Sequence, residues 1–334
     1  MIKNNKFEFK KLKNVIFLGE DKCLSEFIKI NKKLGLNTEI ITSPAQAKNI
    51  DKSLKFKKFL KLDNKFKSYI KSKYRTEESL FISVASRWIF NENLINKFFK
   101  KNIINFHGAR LPFDSGSGGF SWNIMRNDRI NVQLAHLVTK KIDGGPIIDY
   151  EKHLYPHHCR TPKNFYSFYN EKFILFYLNF IQKLINKKKF NLIYQVDYIG
   201  RYNPRLLTEK DGWIDWNQSS DEILSFINAF DDPYAGASTF IGNIKCKIKK
   251  AQLHGGEGSN HPFMSGLIYR NDKYWLVIAT RDKNCLVVES VLDKNNKEIL
   301  ANIKPGQRFN TPRKYLENAK IKRTLFNAEG HIIK

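Results

Sequence analysis

The sequence contains no uncharged apolar run of about eighteen residues, the length a helix needs to cross a bilayer, so no membrane span is expected. The amino terminus, MIKNNKFEFKKLKN, has no apolar core of the kind a secretory signal carries. Cysteine is scarce: four in 334 residues, with no C-x-x-C pair. That spacing argues against a disulfide framework or a zinc site and points to a reducing cytoplasm, with no metal expected. Acidic residues are outnumbered, 32 Asp and Glu against 58 Lys and Arg, for a net charge of +26. Such an excess suits a nucleic-acid binder. Here, however, it is mostly lysine, spread over the whole length, and phosphate recognition favours the arginine fork. A solvated basic surface is therefore the favoured reading. Three motifs are also missing: a G-x-G-x-x-G after a first strand, a G-K-[ST], and a Ser or Cys in a nucleophile elbow. Their absence leaves a dinucleotide site, a P-loop and a covalent acyl-enzyme without support.

Aromatic residues are plentiful, at 13% with 26 Phe and 14 Tyr, and apolar content is 42%, enough for a sizeable core. The first part alternates apolar runs with helical patterns. NVIFLGE (residues 14–20), NTEIITS (37–43), SLFISVAS (79–86) and KNIINFHG (101–108) read as strands. DKCLSEFIKINKKLG, NENLINKFF and a long segment over 162–188 read as helices. The basic segment over 55–73 has Phe and Leu at helical spacing and reads as a packed helix. INVQLAHLV and the run after IDGGP supply two more strands. This alternation predicts a Rossmann-like α/β domain with a mostly parallel sheet over residues 1–203. Beyond it, SSDEILSFINAF opens with a helix cap. Short strands at regular spacing follow and predict a small, OB-like β-barrel over 204–334. Trp213 and Trp216 are expected to pack the connecting segment onto the first domain.

Within NFHGARLPFDSGSGGFSW, Asn105 and His107 are two apart and share one face of a strand. They fall at the carboxyl end of a parallel strand, where open α/β sheets bind ligands. Asp143 follows another strand and precedes two glycines that let a ligand approach the backbone. Each residue also has a structural reading: Asn caps turns, and His occurs as a satisfied core residue. Brought together at one sheet edge, an amide, an imidazole and a carboxylate suit direct acyl transfer. Asn and His can donate to a developing oxyanion, and Asp can orient the imidazole and help relay a proton.

Asn105-x-His107, then Leu111-Pro112, then Asp143-Gly144-Gly145-Pro146 resembles the formyltransferase family that uses 10-formyltetrahydrofolate. YNPRLLTEKDGWIDW, INAFDDPYAGASTFIG and SGLIYRNDKYWLVIATRD extend the resemblance to the linker and barrel of methionyl-tRNA and some sugar formyltransferases. It implies catalytic roles for Asn105, His107 and Asp143. It also implies a pterin pocket formed by Ser86, Arg87, Trp88 and Ile89 with Val138, Lys141 and Ile142, largely through backbone groups. The expected donor is 10-formyltetrahydrofolate.

The Arg-Gly element of the tRNA enzymes is absent after His107, and GGFSWNIMRND resembles the loop of sugar N-formyltransferases. The resemblance therefore favours the amine of a nucleotide-linked amino sugar, within polysaccharide biosynthesis, with Arg110, Gly118, Gly119 and Trp122 toward the sugar. It implies a homodimer by analogy with such enzymes. Methionyl-tRNA is the alternative acceptor, in keeping with the high pI and the barrel. A folate-binding protein without catalysis is a second alternative, which the intact triad disfavours.

Overall fold

The computed structural model describes residues 5–116, 119–196, 200–255 and 258–321. The chain forms two compact units, one of residues 1–115, 130–154 and 169–202, the other of 116–129, 155–168 and 203–334. The chain thus passes between units several times, and residue 203 marks the last passage.

The first unit is built on β1 (Asn14–Gly19), α1 (Leu24–Lys33), β2 (Asn37–Thr42), a two-residue β3 (Lys57–Lys58), α2 (Asn64–Lys73), β4 (Ser79–Val84) and β5 (Ile103–His107). In the second unit, α3 spans Gly119–Met125; β6 (Ile130–Leu137) and β7 (Ile147–Leu154) then complete the sheet of the first. The sheet order is β3-β2-β1-β4-β5-β6-β7. The first five strands are parallel, and β6 and β7 each run antiparallel to the strand before them. Strict alternation sorts the side chains. Val15, Phe17, Leu80, Ile82, Ile104 and Phe106 enter one cluster, while Ile16, Leu18, Phe81 and Ile103 enter another on the opposite face. A sheet covered on both faces needs apolar residues at every strand position, which is why β1 and β4 read as continuous apolar runs. Phe173, Phe176 and Phe180 of α4 (Pro162–Ile185) fill the first cluster, with Phe106 against Phe180 edge-on at 5.3 Å.

Two helices depart from the sequence pattern. Asp63 accepts from Lys65 N at 2.9 Å and Phe66 N at 3.2 Å, which starts α2 at Asn64 rather than near residue 55. The preceding Lys57 and Lys58 pair instead with Ile41 and Thr42. The expected helix over 91–99 becomes a π-helical turn at Leu94–Phe98, closed by Phe99 N on Leu94 O.

The second unit contains α5 (Ser220–Ala229), β8 (Ala237–Ile241), β9 (Ile244–Gly255), β10 (Ile268–Asn271), β11 (Leu276–Ala279), β12 (Asn284–Asp293), β13 (Phe309–Asn310) and α6 (Arg313–Ile321). A reciprocal capping box of Ser219 and Glu222 opens α5. The antiparallel order is β10-β11-β12-β9-β8-β13, and a bridge between Leu267 and Arg308 joins the two outer strands, curling the sheet into a barrel. Gly266, at φ +79°, sits at that seam, where a Cβ would lie 2.2 Å from the Phe309 carbonyl oxygen. Trp213 stacks on Phe240 and Tyr315, and Trp216 stacks on Phe309 and donates to Thr239 Oγ1. Both tryptophans are thus spent inside the second unit, contrary to the expectation that they dock the linker on the first. The flat apolar face each needs is supplied by the barrel and α6.

Candidate active site

On β5 the face that carries Ile103 also carries Asn105 and His107, both half-buried. The neighbouring β6 is antiparallel and places His136 directly opposite Asn105. His136 is 2% exposed, so nearly all its polar capacity must be met within the protein. Its Nδ1 lies 2.9 Å from the Leu137 carbonyl oxygen, which can only accept, so Nδ1 carries a proton. In the neutral ring Nε2 is then a lone pair, and it accepts from Asn105 Nδ2 at 3.1 Å. This contact fixes which end of the Asn105 amide is nitrogen and leaves its second N–H for another acceptor.

Asp143 arrives from an unexpected direction. Because β6 runs antiparallel, the chain leaves it beside Ile103, with Val138 N donating to Ile103 O, at the end of β5 remote from His107. The turn between Thr139 and Pro146 therefore folds back across the sheet face, where the sequence pattern had suggested a meeting at one strand edge. It brings Asp143 Oδ1 to 4.0 Å from His107 Nδ1 and 3.7 Å from His136 Nε2. Asp143 takes the left-handed conformation, at φ +53°. Gly145 follows so close to β6 that a Cβ would lie 1.7 Å from the Leu137 carbonyl oxygen.

Burial pushes the His107 imidazole below its ordinary 6.5; Asp143 pulls it back up and His136 adds to the fall. Burial works to raise Asp143, but the two imidazole rings beside it, His136 at 3.7 Å and His107 at 4.0 Å, favour the carboxylate and hold it below its ordinary 3.8. Near neutral pH the pair is therefore a neutral imidazole beside a carboxylate. Such a group can donate one N–H while its other nitrogen, oriented by the acid, takes up a proton.

Ser86, Arg87, Trp88 and Ile89 follow β4. Ser86 Oγ accepts from Trp88 N, and Trp88 Nε1 donates to Leu60 O. Trp88 and Val138 pack on the same apolar cluster, so the two expected pterin segments share a floor. Ile89 and Ile142 stay 65% and 72% exposed, apolar surface that a flat ring could cover. Lys141 is exposed, and its aliphatic stem covers Gly144.

Arg110 forms an ion pair with Asp114 at 3.2 Å and lies over the Phe113 ring. Gly119 and Trp122 belong to the second unit, where the Trp122 indole donates to Pro204 O. Gly118 lies outside the described residues. His136 carried no motif. Its only signal in the sequence was a polar ring in an apolar strand, and strand pairing was needed to find it.

The mostly parallel sheet of the first unit and the curled antiparallel sheet of the second match the fold of a solved formyltransferase. Residues 206–303 match the family described as formyl transferase, C-terminal domain. A sugar 3N-formyltransferase, WlaRD, solved in the presence of dTDP and 5-N-formyl-THF, superimposes with a TM-score of 0.61 at 19% identity, covering 86% of this chain and all of that one. The bifunctional polymyxin resistance protein ArnA of Wigglesworthia glossinidia brevipalpis is 27% identical over 69% of this chain, which spans only 35% of that protein. Methionyl-tRNA formyltransferase of Malacoplasma penetrans is 22% identical, with 83% of each chain covered. Residues 206–303 thus carry a formyl transferase carboxyl-terminal domain, and the likeness to WlaRD is one of fold.

Proposed function

We propose that the protein transfers a formyl group from 10-formyltetrahydrofolate to the primary amine of a nucleotide-linked amino sugar, with Asn105, His107 and Asp143 as the catalytic groups. One observation carries the reading: the Asp143 carboxylate, delivered by a turn that folds back over the sheet, lies beside the ring of His107 on the face that also bears Asn105. The apolar floor under Trp88 and Val138, with Ile89 and Ile142 exposed nearby, suits a pterin ring. In the reaction a neutral amine attacks the formyl carbon and the carbonyl oxygen becomes an oxyanion. The second N–H of Asn105 and an N–H of His107 would donate to that oxygen. Asp143 would hold the His107 ring and help carry the proton from the new ammonium to the departing folate nitrogen as the old C–N bond breaks.

The WlaRD likeness, with its dTDP ligand, favours the sugar acceptor. Charged initiator tRNA is the second reading, supported by the methionyl-tRNA formyltransferase relative, which aligns over most of both chains. The test offers purified protein 10-formyltetrahydrofolate together with UDP- and dTDP-amino sugars or with charged initiator tRNA. Formylated sugar is the expected product. Product from tRNA alone would move the assignment to the second reading, and no product from any amine would remove catalysis altogether.

A further inference from the structure

Gln195 lies in a segment without a named strand, two residues after an antiparallel bridge between Ile193 and Ile147. Both backbone bonds of that bridge are made, at 2.8 and 2.9 Å, so the segment is firmly registered against the start of β7. Continuing the register places Gln195 opposite Gly145. Its side-chain Nε2 lies 2.7 Å from the carbonyl oxygen of Asp143 and 2.6 Å from that of Gly145. Both partners only accept, so this atom is the amide nitrogen, and its two N–H groups are divided one to each carbonyl.

The turn has reason to need such a clamp. Asp143 sits at φ +53°, a conformation that L-residues adopt only under constraint, and it must cross back over the sheet to reach His107. We propose that Gln195 is a positioning residue for the formyl transfer proposed above. By gripping the carbonyl oxygens on either side of Gly144, it holds the Asp143 carboxylate against His107. The inference rests on the reading of Asp143 as a catalytic group, but its geometry can be tested without turnover.

Gln195→Met keeps the length and removes both donors, and Gln195→Glu keeps the shape while offering the carbonyls only acceptors. The His107 ring is followed by NMR titration in the wild type, both variants and Asp143→Asn, with thermal melting as a check on folding. Where the clamp operates, the His107 midpoint moves to lower pH in the Gln195 variants, in the same sense as in Asp143→Asn and by less. The turnover number falls about tenfold or more, and the KM for the amine changes little. Either variant, once folded, suffices. A His107 titration identical to the wild type in a folded Gln195 variant would overturn the proposal. If the wild type formylates no amine, the functional reading fails while the titration still decides whether Gln195 positions Asp143.

Discussion

The clearest division of labour at the residue scale lies among the side chains on the open face of β5 and β6. Asn105 and His107 are separated by one strand repeat, and His136 is their cross-strand neighbour. On the proposed function, His107→Ala lowers turnover by about 10²–10⁴-fold, the range for a lost acid-base group, in a steady-state assay with a folded variant. A folded His107→Ala with near-normal transfer would contradict the assignment. The pH profile has a definite sign. The neutral imidazole is the working form and its burial favours deprotonation, so activity is present above the depressed His107 value and lost as pH falls through it. The acid limb of kcat/KM is therefore expected below 6.5. Asp143→Asn removes the charge that pulls His107 upward, so it moves that limb to still lower pH while reducing the rate. His136→Phe fills a similar space but takes away the acceptor for Asn105 Nδ2. The amide is then free to turn, and turnover is expected to fall by about 10-fold or more, approaching the loss for an oxyanion donor, with melting little changed.

Among the elements, the turn between β6 and β7 carries the most consequence. Gly145 has no room for a side chain against the Leu137 carbonyl, so Gly145→Ala must push the turn off β6. The expected cost is about 1–3 kcal/mol, as for overpacking, read by denaturant unfolding, together with a loss of turnover as Asp143 is displaced. The capping box at Ser219 offers a contrasting case remote in sequence from the triad: Ser219→Ala should cost about 1 kcal/mol of stability. Element type was legible where local physics decides it. Short apolar runs gave β1, β4 and β5, phenylalanine spacing gave α4, and the Ser/Asp signal gave α5. The π-helical turn at Leu94–Phe98 and the late start of α2 were not legible. Each depends on a competition between hydrogen-bond partners, Phe99 N choosing Leu94 O and Asp63 choosing the amides of Lys65 and Phe66.

The whole molecule combines two compact units, a closed barrel in one of them, and a large positive charge. Among the described residues no helix is long and apolar enough to cross a membrane. The charge offers a test between acceptors. A tRNA substrate held by many phosphate contacts would lose affinity steeply with added salt, by about 10³–10⁵ between 50 and 200 mM for six to ten contacts. A nucleotide sugar carries few charges, so its KM should change far less over the same range, and steady-state kinetics at two salt concentrations would read the difference. The sequence by itself determined most of the strands and helices, the β-rich character of the carboxyl-terminal part, and the shared strand face of Asn105 and His107, because strand periodicity and turn chemistry act over a few residues. Only the tertiary structure decided that β6 runs antiparallel, that His136 therefore faces Asn105, and that the Asp143 turn returns across the sheet under the hold of Gln195. Those contacts join residues some thirty to fifty positions apart. Strand order and direction, which no local pattern encodes, determine whether they meet.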